Sequence, residues 1–425
     1  MKHSFHSAAL IAVLTLPFSA SALSLHDTAV KAAHYDARIA QAGANIAAAQ
    51  SGLKAAEAGD NFAAGISADF GVSNLYTQAR FPQPGVRLPN SIGLVASQPL
   101  YNGGRSAAEE AAAEQRVTAA LEARRDIGGR VLLSALTSYL DLKRDHETLR
   151  LAEANQQALE HARDDARSLF NAGEATKTDV ALADARVAEA EARSIRAAAQ
   201  IRVSEVALAR NLGPEEVATD APWPQTLPLA KTREAAVALS TRAPAVVSAE
   251  AESRAASSEI ARAESESRPQ ISLDGHVSTQ DDTEFGFDRL STWAVQLKLA
   301  MPLTTGGLTR AKVGVANARA ESARYAASSE AALFAQESAS EWELLQAAHG
   351  AIKAFKSQVN AAELALDGVK KEYKIGSRTT LDLLDAEREL LAAQVNLVAA
   401  QRDEAVTSFR LMAACGTLEL ENIPD

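Results

Sequence analysis

The chain has 425 residues, of which 47% are hydrophobic and only 5% are aromatic, and its formal net charge at pH 7 is −11. This length accommodates two or three ordinary domains. The negative balance argues against a nucleic-acid partner held through phosphate contacts. Alanine, glutamate, leucine and arginine are plentiful, and because these residues favour helices the composition predicts long helices.

The first 22 residues have the organisation of a signal peptide. Lys2 lies in a polar start, residues 8–18 are apolar, and residues 20–22 have the small-x-small pattern of a cleavage site. The mature chain is therefore expected to begin at Leu23, without a lipidated cysteine. No later apolar run reaches the roughly 18 residues of a transmembrane helix. We expect an exported protein that has no membrane-spanning helix.

The chain repeats one layout twice. Pro99 and Pro302 lie 203 positions apart, as do Gly173 and Gly376. The same offset relates Tyr139 to Trp342, Asp179 to Asp382 and Gly213 to Gly416. A constant offset over about 115 residues indicates a tandem duplication. Upstream the offset is 207, which predicts an insertion in a surface loop of the first half.

Each repeat is predicted to contain a helical stretch, two alternating segments, a very long helix after a double glycine, a glycine turn and a return helix. The predicted helices span residues 24–60, 105–170 and 177–211, then 231–266, 308–373 and 379–414. The repeats are assigned to residues 23–211 and 231–416. Four prolines in residues 212–230 disfavour helix and indicate a linker. Residues 417–425 form a short tail.

Four segments alternate between apolar and polar residues with a period of two, which is typical of half-buried strands. They are residues 64–73, 92–98, 271–280 and 292–301. They could form a small antiparallel sheet over a soluble core, or membrane strands with one face on lipid. Their length of about ten residues favours membrane strands. Because spanning barrels need about eight strands and tolerate no open edge, several copies would then have to combine.

The predicted helix over residues 308–373 would be about 100 Å long, which no single globular core requires. Toward its end, apolar residues recur in steps of three and four. They are Leu345, Ala348, Ile352, Phe355, Val359, Ala362, Leu366, Val369 and Tyr373. This heptad seam predicts left-handed coiled-coil packing against a neighbouring helix.

Together these motifs resemble the TolC family of outer-membrane efflux proteins over essentially the whole mature chain. The match is strongest in YKIGSRTTLDLLDAERELLAAQ, from Tyr373, and in the closing GTLELENI. The resemblance implies a mainly α homotrimer whose four strands per chain build a twelve-stranded transmembrane β-barrel, continued by a long α-helical barrel. Departures are Asn61-Phe62, where the second repeat has Arg268-Pro269, and the short tail.

The resemblance also implies a function and a location. The protein would lie in the outer membrane of a Gram-negative cell, in contact with its lipid, and extend into the periplasm. It would be the passive exit duct of a tripartite efflux or type I secretion system. Its expected partners are a periplasmic adaptor (membrane fusion) protein and an inner-membrane transporter of ABC or RND type. The alternative is a periplasmic coiled-coil adaptor or structural protein without a channel, which the duplicated strands argue against.

The two glycine turns have a common pattern. Gly173 and Gly376 suit the left-handed residue that ends a helix. Thr379 and Asp382 have capping-box spacing, so Asp382 is expected to cap the return helix. Thr176 and Asp179 have the same spacing in the first repeat.

Asp385 has no acidic counterpart, because the matching position in the first repeat is Leu182. It lies three residues after Asp382, so both carboxylates share one helix face, where like charges are mildly destabilising. A solvated face is the ordinary explanation for such a pair. The resemblance implies instead that Asp382 and Asp385 line a gate at the tunnel tip, where rings of carboxylates would favour cations.

Arg378 precedes a helix, where a cation opposes the helix dipole, so it needs a further partner. The resemblance implies a tip latch, defined as Tyr373, Arg378, Thr178 and Asp179. Arg378 would bond Thr178 and Asp179 of the adjacent protomer, and Tyr373 would bond Asp179 of its own. Alternatively, Arg378 is an exposed turn residue that contacts another protein.

Enzymatic signatures are not evident in the sequence. The histidines lack metal-binding spacing, and neither a phosphate-binding loop nor a nucleophile elbow is present. We therefore predict neither catalytic residues nor a metal or cofactor. The single cysteine, Cys415, cannot form an internal disulfide.

Overall fold

A computed structural model describes residues 24–76, 85–214, 222–224, 227, 229–282 and 289–424. The predicted signal peptide and part of the predicted linker lie outside these residues. The helices are α1 (Leu25–Tyr35), α2 (Ala37–Glu57), α3 (Arg105–Asn171), α4 (Lys177–Leu212), α5 (Arg233–Ser240), α6 (Pro244–Ser265), α7 (Leu308–Lys374) and α8 (Thr380–Ala414). The strands are β1 (Ala63–Phe70), β2 (Ser73–Leu75), β3 (Gly85–Arg87), β4 (Asn90–Tyr101), β5 (Gln270–Asp281) and β6 (Arg289–Ala300).

The first helical stretch of each repeat is broken in two, where the sequence predicted one helix. Asp36 is extended, with φ −72° and ψ 117°, and its carboxylate accepts the backbone N–H of Arg38 at 2.8 Å. This contact ends α1 and caps α2. In the second repeat Pro244 is the first residue of α6, a position that needs no N–H donor.

The duplication is visible in the backbone. Helices α3 and α7 each contain 67 residues, which corresponds to about 100 Å, and they start 203 positions apart. Eight glycines with positive φ form four pairs at the same offset, because equivalent turns of the two repeats need a residue that tolerates positive φ. The pairs are Gly103 and Gly306, Gly104 and Gly307, Gly173 and Gly376, and Gly213 and Gly416.

The four predicted strands form one antiparallel sheet in the order β1-β4-β5-β6, and β2 pairs with β3 in a small hairpin. The duplication is also visible in the strand registers. Ala63 of β1 lies opposite Ser97 of β4, and the equivalent Gln270 of β5 lies opposite Ala300 of β6. The central pairing of β4 with β5 joins the two repeats. The outer strands β1 and β6 each leave one edge without a partner strand in the described part of the chain.

The helices pack side by side below the sheet. Helix α3 contacts α2, α4, α6 and α8, and α7 packs against α6 and α8. The largest core cluster lies at mid-length, where Tyr139 and Leu136 of α3 meet Phe409 and Met412 of α8. Of the predicted heptad seam, Leu345, Val359, Ala362 and Leu366 are buried and the other members are half-buried. The seam prediction is therefore confirmed.

Cys415 lies just after α8 and is a free, buried thiol. Its sulfur donates to the carbonyl oxygen of Ala236 at 3.6 Å. Burial raises the pKa of the thiol, so it is protonated at neutral pH. Cys415 thus acts as a small packing residue that ties α8 to α5.

Among the residues that the structure describes, no helix has both the length and the apolar character needed to cross a membrane.

Candidate functional site at the helical tip

The site lies where two helical hairpins turn, α3 to α4 and α7 to α8. Gly173 and Gly376 take φ values of 81° and 75°, the left-handed conformation expected from the sequence. The N–H of Ser377 donates to the carbonyl of Glu372 at 2.9 Å, which closes the end of α7 as in a Schellman motif. A Cβ at either glycine would meet no atom within 4 Å. Backbone conformation, not crowding, therefore requires glycine here.

A capping box starts each return helix. In α8 the Thr379 hydroxyl accepts the N–H of Asp382 at 3.2 Å, and Asp382 Oδ2 accepts the N–H of Thr379 at 2.9 Å. The first repeat shows the same two contacts between Thr176 and Asp179, at 3.2 and 2.8 Å. Both aspartates therefore hold their helix ends, as their spacing predicts.

These contacts also stabilise the charged form of both aspartates. The backbone N–H and hydroxyl of Thr379 lower the pKa of Asp382, and nearby Arg378 adds to the effect. The hydroxyl and N–H of Thr176 lower the pKa of Asp179 in the same way. Both carboxylates are therefore ionised at neutral pH.

Asp385 has a different environment from Asp382. Its Oδ1 atom accepts a hydrogen bond from Arg186 Nη2 at 3.2 Å, which links α8 to α4. Arg388 Nη2 is 3.8 Å from the same oxygen. Sequence reasoning missed Arg186, although it lies one turn after Leu182, the counterpart of Asp385. Because α4 and α8 are the equivalent return helices of the two repeats, a charged residue one turn after the counterpart of Asp385 is the signal that could have identified Arg186.

The tip-latch residues do not bond to one another within this single chain. Arg378 Nε donates to Glu372 Oε2 at 2.8 Å, and this contact raises the pKa of Arg378. Thr178 is exposed. The Tyr373 hydroxyl is buried and has no hydrogen-bond partner among the described residues. The implied bond between Tyr373 and Asp179 is thus absent, because Asp179 Oδ2 is oriented toward the N–H and hydroxyl of Thr176.

A metal site is not apparent at the tip or elsewhere in the part of the chain that the structure covers. No group of three or more His, Cys, Asp or Glu side chains there is placed to hold a metal ion.

The chain matches known proteins along most of its length. The model of the outer membrane efflux protein family matches residues 29–214 and 237–417, one segment in each repeat. The outer membrane efflux protein BepC of Brucella suis is 30% identical over 351 residues, which cover 82% of this chain and 76% of the relative. The outer membrane protein TolC of Vibrio cholerae is 25% identical over 308 residues, or 69% of each chain.

The fold has a solved counterpart as well. The crystal structure of the outer membrane protein VceC from Vibrio cholerae superposes with a TM-score of 0.81, covering 92% of this chain and 96% of VceC at 22% identity. At that identity the likeness shows the fold, which is an α-helical barrel with a β part. The family match favours a channel over the periplasmic adaptor considered from the sequence. The chain belongs to the outer membrane efflux protein family, whose members are outer-membrane channels of Gram-negative bacteria and not enzymes.

Proposed function

We propose that three copies of this chain form the outer-membrane exit duct of a tripartite efflux or type I secretion system. The observation that carries the proposal is the open four-stranded sheet. Its apolar side chains point to solvent in the single chain, with Trp293 78% and Leu297 68% exposed. Lipid would cover this face, but lipid does not tolerate the open edges of β1 and β6. Pairing β6 of one copy with β1 of the next closes a ring, and three copies supply twelve strands.

The helical part supports the same head-to-tail assembly. Helices α4, α3, α8 and α7 contact one another in this order, and α4 also contacts α8 near the tip, so α4 and α7 form the two edges of the layer. Both edges expose apolar side chains, including Val206 on α4 and Leu364 on α7. Such edges are expected to pack against each other between neighbouring copies, since isolated exposed apolar stripes are unfavourable.

The assembly can be tested by extracting the native protein from outer membranes with a mild detergent. A trimer that migrates as one species in gels and dissociates on heating would support the proposal. A water-soluble periplasmic monomer would contradict it and would favour the adaptor alternative.

The tip is the end at which an adaptor and an inner-membrane transporter would dock. Ile375 lies in the α7–α8 turn and is 79% exposed, which is unusual for an apolar residue at a turn unless it meets another protein. A photo-crosslinking residue at position 375 should capture an adaptor in intact cells. The same probe at Leu121, an exposed residue of α3 far from the tip, serves as the control.

The tip latch would act between copies. In the trimer, Arg378 would leave Glu372 or share it, and would bond Thr178 and Asp179 of the adjacent copy. We expect Arg378→Ala to increase single-channel conductance, because it removes the proposed contact between copies that keeps the tip narrow. Within the single chain the Tyr373 hydroxyl has no partner, so Tyr373→Phe should leave thermal stability unchanged or slightly higher. Unchanged conductance in Arg378→Ala would argue against the latch.

The pH dependence of the gate follows from the lowered pKa of Asp382. A lowered folded pKa means that the capping contribution of Asp382 is present above the ordinary carboxyl pKa of about 4 and is lost only as pH falls through the lowered value. The charge of Asp382 should therefore persist throughout the mildly acidic range. Reversal potentials measured at pH 7 and pH 5 should agree in an Asp385→Asn variant, where Asp382 is the remaining gate carboxylate. A loss of selectivity by pH 5 would contradict this assignment.

A further inference from the structure

We propose that Arg186 is the counter-ion of Asp385 and sets the net charge of the gate. In this arrangement the two predicted carboxylate rings are not equivalent, because Asp382 forms no ion pair with the described residues of its protomer, whereas Asp385 is neutralised by Arg186 of the same protomer. The proposal rests on the proposed function, in which Asp382 and Asp385 line the gate. It adds a selectivity-determining residue on a different helix.

The guanidinium of Arg186 is held between two carboxylates on two helices. Nη2 donates to Asp385 Oδ1 of α8 at 3.2 Å, and Nη1 donates to Glu189 Oε2 of α4 at 3.1 Å. The Arg186 side chain is only 22% exposed, against 44% for Asp385. Partial burial of the guanidinium reduces its screening by water and salt, while Asp385 remains exposed to solvent.

Neighbouring charges keep Arg186 in place and leave Asp385 without excess negative charge. Arg193 forms an ion pair with the same Glu189, one turn further along α4. Arg388 approaches Asp385 Oδ1 from its own helix at 3.8 Å. The two carboxylates of this cluster, Asp385 and Glu189, thus face three guanidinium groups. The net charge of this cluster is therefore not negative, although Asp385 belongs to the predicted gate.

Asp382 lies outside this cluster. Its Oδ2 atom accepts the N–H and the hydroxyl of Thr379, neither of which carries a charge. The nearest arginine, Arg378, is itself paired with Glu372. Cation preference at the tip should therefore come mainly from Asp382, with Asp385 contributing only when its bond to Arg186 breaks.

The Arg186–Asp385 pair also links the charge of the gate to the relative position of the two hairpins. Arg186 belongs to the hairpin α3–α4 and Asp385 to the hairpin α7–α8, so the hydrogen bond spans the two hairpins of one protomer. A movement of one hairpin relative to the other would lengthen this contact and expose Asp385 as an unpaired carboxylate. The negative charge of the gate would then increase as the tip opens.

A charge cycle tests the inference. Four forms of the full-length trimer are compared in planar bilayers under a KCl gradient: the wild type, Arg186→Gln, Asp385→Asn and the double variant. The net charges of the pair are 0, −1, +1 and 0. Arg186→Gln should raise the cation-to-anion permeability ratio by about threefold, and Asp385→Asn should lower it by a similar factor. The double variant should return to the wild-type value.

Two further results complete the test. Arg186→Lys keeps the charge, so its reversal potential should match that of the wild type even if its altered geometry changes conductance. If the Arg186–Asp385 pair only held the two hairpins together, its variants would change conductance, but their reversal potentials would not follow the net charge of the pair. The inference is overturned if Arg186→Gln has the wild-type reversal potential, or if the double variant behaves as Asp385→Asn alone. If Arg186→Gln does not assemble, the comparison of Arg186→Lys, Asp385→Asn and the double variant decides the question in the same way.

Failure of this inference differs from failure of the proposed gate. If Asp382→Asn changes selectivity while Arg186→Gln does not, the gate stands and the counter-ion assignment is wrong. If neither Asp382→Asn nor any variant of the pair changes selectivity, the tip is not the selectivity gate.

Discussion

The double variant Asp382→Asn/Asp385→Asn is expected to lose the cation selectivity of the channel and to become unselective or weakly anion-selective. In a trimer the two substitutions remove six carboxylates from around one axis, where their fields add. They also leave Arg186 without Asp385, which adds uncompensated positive charge. The measurement is the reversal potential of single trimers in planar bilayers under a KCl gradient.

The control for this experiment removes a carboxylate elsewhere on the same hairpin. Asp367 lies on α7, where its Oδ2 atom accepts a hydrogen bond from Lys371 at 2.6 Å, and it is exposed. Asp367→Asn should leave the reversal potential close to that of the wild type. A double variant whose reversal potential equals that of Asp367→Asn would refute the carboxylate gate.

Gly103→Ala is expected to destabilise the protein far more than Gly306→Ala, although the two glycines are equivalent in the duplication. Both have positive φ, 73° and 60°, so either alanine should cost about 1–2 kcal/mol of backbone strain. Only at Gly103 is there also a steric conflict. A Cβ there would lie 2.8 Å from the carbonyl oxygen of Ser265 and 2.9 Å from Cβ of Arg268, whereas at Gly306 it would meet nothing within 4 Å among the described residues of the single chain.

The clash at Gly103 should add about 1–3 kcal/mol, because the atoms it meets belong to the backbone and to a constrained Cβ. The check is the temperature at which each purified variant loses its helical circular dichroism signal, together with the yield of assembled trimer. Gly306→Ala serves as the matched control. Equal shifts for the two variants would mean that the close approach of α6 to the start of α3 does not contribute to stability.

The same junction shows what the sequence departures mean physically. Where the second repeat has Arg268-Pro269, Arg268 Nη1 donates to the carbonyl oxygen of Gly103 at 3.2 Å. Where the first repeat has Asn61-Phe62, the preceding Asp60 binds Asn102 and Ser106, each at 2.6 Å through Oδ1. The two junctions between sheet and helices are therefore held by different polar contacts, although their backbones match.

Local sequence signals predicted most of the fold. The long helices, the four strands, the glycine turns and the caps at Thr176 and Thr379 depend on residues within a few positions of one another, so they could be inferred before the structure was known. The break at Asp36 was missed because a helix-forming composition continues through it. Only the carboxylate contact with Arg38 shows why the chain is extended there.

Contacts between distant segments could not be predicted in the same way. The bond between Arg186 and Asp385 joins residues 199 positions apart, and it depends on how α4 lies beside α8. The resemblance implied that Tyr373 bonds Asp179, but Asp179 is oriented by Thr176, three residues earlier in the chain. At the tip, therefore, local caps were predictable and the pairing of charges between hairpins was not.

The most direct test of the account is a single-channel recording of the purified wild-type trimer in a planar bilayer. We predict discrete current steps with a reversal potential on the cation-selective side. Membrane-inserted trimers that give no steps, or steps that are anion-selective, would contradict the view that this chain forms an outer-membrane duct with a carboxylate gate at its tip.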